Sequence, residues 1–469
     1  MVKRPREPSA DGLENGEDGP DFASAVLQLE PREAFESAAR EAMEAVNAAV
    51  KAVFGAEAYV QPYGSLVQGM HLDGSDLDLC IEVPGEDLVG PVGANGKTDN
   101  GLQVAALKRL MRKLPGTFRV TETRFWKHMK VPIIILAFRS GSGEEVETDI
   151  SVGAVFEGVQ KGFTDRLVRR LLARLPRAIH LARLVKLWAR LEKLNKAYDG
   201  FLNSLGWTLM VLFFFMERGE ITCDMLHEEE PNENGPDGDG GSLPPPLRGS
   251  GEGASGELQD VPSYEEVAEF FEWVKLYVES WPEDQPESAW GISLVDGTMI
   301  EVPKASKQWA DQCSFFIEDP GVRLAKGSAE NVARSLKVAP WRTTLQRCEA
   351  AASALRAGHP AAADAWMSRL LQEASAEREA KEKAAAPKLP PAVRGAGAWP
   401  RAAPNAPAPW QRAAPKSTAA WPQAPSAAVG QKRPLPVQPS AAKRPKAEVC
   451  KWWLQGQCWS GDRCRNSHG

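Results

Sequence analysis

Residues 63–81 read YGSLVQGMHLDGSDLDLCI. Two carboxylates, Asp76 and Asp78, stand two positions apart at the start of an apolar run, so on a strand both side chains point to the same face. Like charges held this close repel each other unless a cation lies between them, and carboxylate oxygens are ligands that suit Mg²⁺. The stretch therefore predicts a strand that carries a metal site.

Two further features extend this pattern. Gly64-Ser65 stands ten residues before the carboxylate pair, and a Gly-Ser turn lets the backbone come close to an anion, as phosphate-binding turns require. A third carboxylate, Asp149, lies in the later run VETDISV. An Asp-x-Asp motif alone is more often a solvated strand end, but three strand carboxylates and a Gly-Ser turn predict a two-metal site for phosphoryl transfer.

This combination resembles the nucleotidyltransferase superfamily built on the polymerase β palm. Four later segments narrow the resemblance to the noncanonical poly(A) and poly(U) polymerases, also called terminal nucleotidyltransferases: LVKLWAR at 184–190, GFLNSLG at 200–206, FIEDP at 316–320 and ENVAR at 330–334. The resemblance covers residues 22–356. It implies an α+β fold, in which a polymerase β-like nucleotidyltransferase palm is followed by a helical, poly(A)-polymerase-associated domain.

The resemblance also implies roles for individual residues. Asp76 and Asp78 would hold two Mg²⁺ (or Mn²⁺) ions, and Asp149 would bind the ion nearest the RNA 3′ hydroxyl and help to deprotonate it. Gly64 and Ser65 would hold the triphosphate through backbone N–H and the hydroxyl. Further triphosphate contacts would come from the helical domain, from Lys186 and Arg190 on one helix face and from Ser204.

The base-binding residues depart from the family pattern at two positions. Relatives place a Tyr after the Ser equivalent to Ser204, where it stacks on the base; this chain has Leu205, so stacking would be weaker or come from another residue such as Trp207. Uridylyl-selective relatives commonly carry His just before Asn331, where this chain has Glu330. A carboxylate accepts hydrogen bonds and so favours the exocyclic amine of adenine or cytosine over O4 of uracil. We therefore predict ATP as the substrate, with UTP as the alternative; a Glu330 that points to solvent would carry no preference.

The C-terminus contains a separate motif. Cys450, Cys458, Cys464 and His468 have the spacing of a CCCH zinc finger. Three thiolates and one imidazole give a closed tetrahedral Zn²⁺ site, and such small domains fold only with the metal. Neighbouring residues supply stacking planes and positive charge for single-stranded RNA: Trp452, Trp453, Trp459, Arg463 and Arg465. A finger that contacts protein is the alternative.

Composition and periodicity predict the domain plan. Residues 1–21 are polar and predicted to be disordered. Residues 22–54 repeat apolar side chains at helical spacing and predict an N-terminal helix that packs on the helical domain. The palm takes 55–155 and the helical domain takes 156–356, with a disordered acidic insertion at 228–260. The remaining segments are an Ala-rich helix (357–386), a disordered Pro/Ala-rich linker (387–448) and the finger (449–469).

The net charge of −6 conceals an asymmetry. From residue 386 onward the chain has 13 Lys and Arg but only 2 Asp and Glu, so an acidic body carries a basic arm suited to attract nucleic acid. In that arm, Lys432-Arg433 and Lys443-Arg444-Pro445-Lys446 resemble a bipartite nuclear localisation signal. We predict a nuclear protein, with the cytoplasm as the alternative. No apolar run is long enough to predict a membrane span.

These observations predict a template-independent RNA 3′-end nucleotidyltransferase that adds AMP residues from ATP. Within the same class, a terminal uridylyltransferase that uses UTP is the alternative. From another class, a catalytically inactive RNA-binding scaffold is the alternative, disfavoured because all three carboxylates are present. The predicted partners are an RNA 3′ end, an NTP and an RNA-targeting protein, with no membrane.

Overall fold

The computed structural model describes residues 21–85, 88, 100–125, 131–153, 155–156, 159–227, 243–247, 260–279, 288–303, 315–357 and 360–385. The first half of the chain forms a mixed sheet with helices on one side. Its elements, in chain order, are α1 (Phe22–Leu27), α2 (Glu33–Phe54), β1 (Tyr59–Tyr63), α3 (Ser65–Gln68), β2 (Leu77–Glu82), α4 (Gly101–Met111), β3 (Phe118–Arg124), β4 (Ile133–Arg139) and β5 (Glu145–Val152).

The five strands lie in the order β1-β2-β5-β4-β3. β2 and β5 pair in parallel at the centre, whereas the other neighbouring strands are antiparallel. One face of the sheet carries alternating apolar residues such as Leu77, Leu79 and Ile150, which pack with α2 and α4 into one hydrophobic core. Because side chains alternate along a strand, the polar residues of β2 and β5 lie on the opposite face, which we call the carboxylate face.

The second half of the chain is mainly helical. Its elements are the short β6 (Val155–Phe156) and β7 (Val159–Gln160), then α5 (Phe163–Arg174), α6 (Pro176–Leu191), α7 (Ser204–Glu217), α8 (Tyr264–Glu279), β8 (Ser288–Ser293), β9 (Thr298–Pro303), β10 (Phe315–Ile317), α9 (Pro320–Lys326), α10 (Val338–Arg356) and α11 (Pro360–Ala385).

A second hydrophobic core holds these helices together. α7 is buried without interruption from Gly206 to Met216, which places it at the centre of the helices. Trp188 of α6 packs edge-to-face on Trp207 of α7, with ring centroids 5.5 Å apart, and against Phe271 of α8 at 4.5 Å. The fold is thus α+β with two cores, as the sequence predicts. None of the described helices is both long and apolar enough to cross a membrane.

The N-terminal segment differs from its prediction. One helix was expected over 22–54, but the chain forms two helices that are interrupted before Glu33. Pro31 lies in the interruption, and proline lacks the N–H that a continuous helix needs. α1 packs on the helical core, as predicted for the whole segment, whereas α2 packs on the palm sheet. For α2 the prediction was wrong, because its apolar stripe matches the sheet.

Two other features were not predicted. β3 is largely exposed and lacks a continuous apolar pattern. The predicted helical domain contains a three-stranded sheet of order β10-β8-β9. Gly291 weakens the strand signal of β8, yet a Cβ there would lie 2.1 Å from the carbonyl oxygen of Phe316 in β10. Glycine therefore permits the close pairing of these two strands.

Part of the predicted acidic insertion has a defined place. Residues 243–247 lie against the body of the protein, with Leu243 on the palm core and Leu247 on the helical core. Arg183 donates to the carbonyl oxygens of Gly69 and Leu247 at 3.0 and 2.7 Å. The prediction of disorder was therefore wrong for these five residues; almost all of the rest of 228–260 lies outside the described residues.

α6 also buries an imidazole. His180 is fully buried, and neither ring nitrogen has a hydrogen-bond partner within the part of the chain that the structure describes. Burial, and then the charge of Arg183, lowers the pKa of His180 from 6.5 to about 4. Since the neutral form is the one that the fold accepts, protonation favours the unfolded chain.

We expect His180 to destabilise the protein in mild acid. The contribution is absent above the unfolded pKa of 6.5 and grows as the pH falls towards 4. Between pH 7 and 5, wild-type protein should lose about 2 kcal/mol more free energy of unfolding than His180→Leu. Urea unfolding at each pH measures this, with His227→Gln, at an exposed position, as the control. Parallel pH profiles for wild type and His180→Leu would contradict the expectation.

Candidate active site

The central strand pair brings the predicted carboxylates together. In the parallel pairing of β2 and β5, Asp78 stands directly opposite Asp149. Asp76 lies just before β2, one residue outside the strand. All three belong to the carboxylate face. The residues just before Asp78 and Asp149, Leu77 and Thr148, are fully buried on the opposite face, which packs on the palm core. The sheet therefore fixes the three carboxylates from behind.

Burial and repulsion by neighbouring charges raise the pKa values of Asp78 and Asp149. Burial, followed by the charges of Asp149 and Asp76, raises the pKa of Asp78 well above its usual range. Burial, followed by Asp76 and Glu147, raises the pKa of Asp149 to about 7. Oδ1 of Asp149 is buried and has no hydrogen-bond partner among the described residues. The ionised forms of Asp78 and Asp149 are thus unfavourable at this position, and a cation beside them would stabilise both.

The Gly-Ser turn lies against one of these carboxylates. Gly64 follows β1 with φ +75°, a conformation that L side chains rarely adopt, and a Cβ there would lie 2.3 Å from Oδ2 of Asp78. Its N–H donates to Oδ2 of Asp165 at 2.8 Å. Asp165 thus accepts from the N–H for which we predict a phosphate contact, and that contact stays a prediction. Ser65, half-buried at the start of α3, keeps its predicted role as a proposal.

α6 places two basic residues opposite the carboxylates. Nζ of Lys186 lies 3.3 Å from Oγ of Ser75, the residue before Asp76. Burial lowers the pKa of Lys186 to about 8, although the charges of Asp76 and Asp78 act in the other direction. Arg190, one turn further along α6, lies 3.7 Å from a carboxylate oxygen of Glu377 in α11. We call the space between the carboxylate face and α6 the cleft.

The carboxylates have the donor chemistry that a divalent cation requires. Within the described residues, no group of three His, Cys, Asp or Glu side chains has the geometry to hold a metal ion. Asp78 and Asp149 nevertheless stand opposite each other on β2 and β5, with Asp76 next to β2, and hard carboxylate oxygens are the donors that Mg²⁺ and Mn²⁺ accept. These residues are therefore the ones that would hold Mg²⁺ or Mn²⁺.

Several predicted binding residues have other contacts. Trp207 is 1% exposed inside the helical core, so it is not available to stack on a base. The side chain of Asn331 accepts from the backbone of Ile317 and Ala333 and donates to Phe315, which commits it to holding β10. Its direct contact with nucleotide stays a prediction.

Two other predicted residues are less committed. Ser204 begins α7, beside the cap Asn203, and its carbonyl accepts from Thr208. Glu330 lies 3.9 Å from Arg334, and its carbonyl accepts from the N–H of Asp319. No described contact joins Ser204 or Glu330 to the three carboxylates. The zinc ligands and finger residues that we predicted lie outside the described residues.

The structure adds residues that the sequence did not indicate. Ser75 accepts from Lys186, and the charge of Arg124, from the edge strand β3, opposes the raised pKa of Asp149. Asp165, buried near the start of α5, accepts from Gly64 and Gln68. An acidic residue in the first turn of a helix is common, so the sequence offered no reason to single out Asp165.

Parts of the chain are similar to known proteins. Residues 21–157 match the model of the central palm domain of mitochondrial-like poly(A) RNA polymerase. Terminal uridylyltransferase cid1 of Schizosaccharomyces pombe is 27% identical over 191 residues, which are 38% of this chain and 39% of that protein. Terminal uridylyltransferase 7 of Homo sapiens is 27% identical over 179 residues, which are 37% of this chain and 11% of that protein. The chain thus spans less than half the length of either relative.

A solved structure is also similar. Terminal uridylyl transferase 4 from Trypanosoma brucei with bound dUTP is 21% identical to this chain. The superposition has a TM-score of 0.48 and covers 72% of this chain and 99% of that chain. Of the comparisons, the family model and the two curated relatives confirm the predicted resemblance to poly(A) polymerases and terminal uridylyltransferases. The palm is accordingly that of a nucleotidyltransferase.

We expect Asp149→Asn to stabilise the protein when no divalent ion is present. The raised pKa means that ionised Asp149 destabilises the fold above about pH 7, and that this cost disappears below the ordinary value of 3.8. Allowing for partial exposure, removing the charge should add on the order of 2 kcal/mol at pH 8 and nothing near pH 4. Thermal unfolding in EDTA measures this.

The control is Asp199→Asn, an exposed aspartate, which should leave the unfolding temperature unchanged. Added Mg²⁺ should stabilise wild-type protein more than Asp149→Asn, because it offsets the repulsion that the variant no longer has. A variant less stable than wild type in EDTA at pH 8 would contradict our account of the site.

Proposed function

We propose that this chain, whose palm is a nucleotidyltransferase palm related to those of poly(A) RNA polymerases and terminal uridylyltransferases, adds nucleotides to the 3′ end of RNA without a template. One observation carries the proposal: Asp78 and Asp149 stand opposite each other on the palm sheet, with Lys186 of the helical domain across the cleft. Carboxylates on one wall and a cation on the other suit a metal-bound triphosphate.

The reaction forms a bond between the RNA 3′ oxygen and the α-phosphorus of the nucleotide. The bond between the α-phosphorus and the bridging oxygen to the β-phosphate breaks, and pyrophosphate leaves. Mg²⁺, when bound to Asp76, Asp78 and Asp149, would lower the pKa of the attacking hydroxyl. It would also offset the negative charge on the attacking 3′ oxygen and on the leaving bridging oxygen. Asp149 would accept the proton of the 3′ hydroxyl through a carboxylate oxygen that does not bind the metal.

Lys186 and Arg190 supply positive charge for the phosphates. Lys186 is held near Asp76 and Asp78, so its ammonium group is placed for a triphosphate that bridges the two walls of the cleft. Arg190 presents Nε without a hydrogen-bond partner and can exchange its ion pair with Glu377 for a phosphate. Gly64 serves this site by keeping space beside Asp78.

We favour UTP over ATP as the substrate. The prediction of ATP rested on an available carboxylate at Glu330, but this side chain lies 3.9 Å from Arg334, whose charge weakens its preference for an amine. Both curated relatives are terminal uridylyltransferases. We keep ATP as the alternative substrate because the palm model that matches this chain describes a poly(A) RNA polymerase.

We also propose roles for the C-terminal motifs, on sequence grounds. Cys450, Cys458, Cys464 and His468 would bind structural Zn²⁺, and the surrounding Trp and Arg residues would recruit single-stranded RNA. The basic pairs before the finger would direct the protein to the nucleus. An RNA-targeting protein would choose the substrate.

The decisive measurement is extension of a labelled oligo(A) RNA by the full chain with Mg²⁺ and each NTP separately. We expect a ladder with UTP and a product yield with ATP that is lower by about tenfold or more. Differential binding of a few kcal/mol is sufficient for such discrimination. A ladder with ATP alone would identify a poly(A) polymerase instead. No extension with any NTP would contradict the proposed activity and favour the inactive scaffold.

A matched pair of glycine variants provides the control. Gly64→Ala adds a methyl group 2.3 Å from Oδ2 of Asp78, whereas Gly55→Ala, also at positive φ, meets nothing within 4 Å. Both variants strain the backbone, but only Gly64→Ala displaces an active-site carboxylate. Extension should fall by about 100-fold in Gly64→Ala, since a displacement of 1 Å has this effect. Equal activity of the two variants would show that Gly64 does not serve the site.

A further inference from the structure

Two neighbouring residues at the start of α5 contact both motif regions of the protein. Asp165 is 8% exposed and accepts from the N–H of Gly64 at 2.8 Å and from the amide of Gln68 at 2.6 Å. It therefore fixes both ends of the turn that contains Ser65. Because both partners belong to the palm and Asp165 belongs to α5, the bonds also join the two halves of the protein.

Thr164 faces the other way. Its hydroxyl donates to Oδ1 of Asp319 at 2.6 Å. That carboxylate also accepts from the backbone of Gly321 and Val322 at the start of α9, and the N–H of Asp319 donates to the carbonyl of Glu330 at 2.9 Å. Thr164 is thus joined to the segment in which base choice was predicted.

The fit at this contact is tight. A Cβ on Gly321 would lie 2.2 Å from Oγ1 of Thr164 and 3.0 Å from its backbone. α9 therefore packs directly on the first turn of α5, with no room for a larger residue. A shift of Thr164 must move either Asp319 or Asp165, because both are held through short hydrogen bonds.

We propose that Thr164 and Asp165 are positioning residues that couple the Gly64–Gln68 turn to the Asp319–Glu330 segment. The inference rests on the proposed function for its kinetic consequence, but the coupling itself is a property of the fold. With both segments held by one dipeptide, Ser65, whose proposed role is to hold the triphosphate, and the segment that ends at Glu330 are placed by one unit. Neither residue takes part in the chemistry.

The test perturbs one segment and reads the other. In the full chain, Thr164→Val removes only the bond to Asp319, and hydrogen exchange is followed in peptides that cover 63–70 and 317–323. We expect faster exchange in both peptides, with Thr164→Ser close to wild type. Thr343→Val, which loses a hydroxyl bond within α10, should affect neither peptide. Faster exchange confined to 317–323 would overturn the coupling.

Kinetics separate positioning from a purely structural effect. Thr164→Val should raise KM for the preferred nucleotide by about tenfold and narrow the ratio of UTP to ATP use, with a smaller change in kcat. Unchanged KM and base preference would overturn the inference. If wild-type protein extends no RNA, the proposed function fails, while the exchange experiment still decides the coupling.

The two parts of α11 are held in different ways, and this supports a second, independent inference. The first part of the helix is anchored, because Ala363, Trp366, Met367 and Leu370 are buried in the helical core. Beyond residue 374 its described side chains are exposed. The distal part is instead held by charges on both walls of the cleft.

These ion pairs involve the same charged groups that we assign to a bound substrate, or groups next to them. Glu377 lies 3.7 Å from Arg190, which we assign to the triphosphate. Arg378 lies 3.8 Å from Asp73, in the loop before β2. The positive charge of Lys381 acts on Glu147, which precedes Asp149 by two positions on the carboxylate face. An anion thus occupies the phosphate-binding arginine, and cations lie beside the acidic wall.

We infer that the distal part of α11 is a lid that competes with nucleotide for Arg190. Exposed ion pairs are weak and screened by salt, and the described side chains from 375 to 383 are exposed, so this part of the helix can be displaced at low cost. A bound triphosphate would replace Glu377 at Arg190. This inference also rests on the proposed function, as a device that regulates the same site.

Glu377→Gln tests the lid without changing a nucleotide-binding residue. In the full chain we expect the Kd for UTP with Mg²⁺, measured by calorimetry, to fall by about two- to fourfold at low salt and by much less in about 0.5 M NaCl, where charges are screened. Glu373→Gln, at an exposed position on the same helix, is the control. An unchanged or higher Kd in Glu377→Gln would overturn the lid. If wild-type protein binds UTP but extends no RNA, the competition is still measured and only the proposed function fails.

Discussion

The parallel pairing of β2 and β5 is the constraint on which the rest of the molecule depends. It forces Asp78 and Asp149 to face each other across one strand spacing, and burial of these like charges is unfavourable unless a cation joins them. The apolar side chains of the same strands, packed on α2 and α4, hold the carboxylates in place against their repulsion. Stability from one face of the sheet thus maintains a strained arrangement on the other, as active sites commonly require.

The helical half of the protein serves the same arrangement from across the cleft. Lys186 brings positive charge to the carboxylates, and Asp165 holds the turn whose Gly64 lies beside Asp78. Both residues come from helices of the second core, so the site exists only where the two cores meet. The structure therefore explains why a palm and a helical domain occur together in one chain of this kind.

The sequence was sufficient for the palm and its carboxylates because local pattern determines them: alternation on β2 and β5, and a glycine where no side chain fits. It was not sufficient where long-range packing decides the outcome. Trp207 has the chemistry of a stacking residue but is enclosed by Trp188 in the core, and Asn331 is consumed by three backbone bonds across β10. Asp165, Ser75 and Glu377 gain their importance only from residues distant in sequence. A motif identifies which residues are present, whereas contacts decide what each residue is free to do.

The position of β5 has a consequence for how the protein is made. α4, β3 and β4 lie between β2 and β5 in the chain, so the site requires a non-local parallel pairing, the kind that forms slowly. A nascent chain that has emerged only through β4 already contains Gly64, Ser65, Asp76 and Asp78. It still lacks β5, and with it the carboxylate of Asp149 that a cation would share with Asp78. During synthesis the protein thus passes through a stage in which its recognisable motif is complete and its catalytic centre does not yet exist.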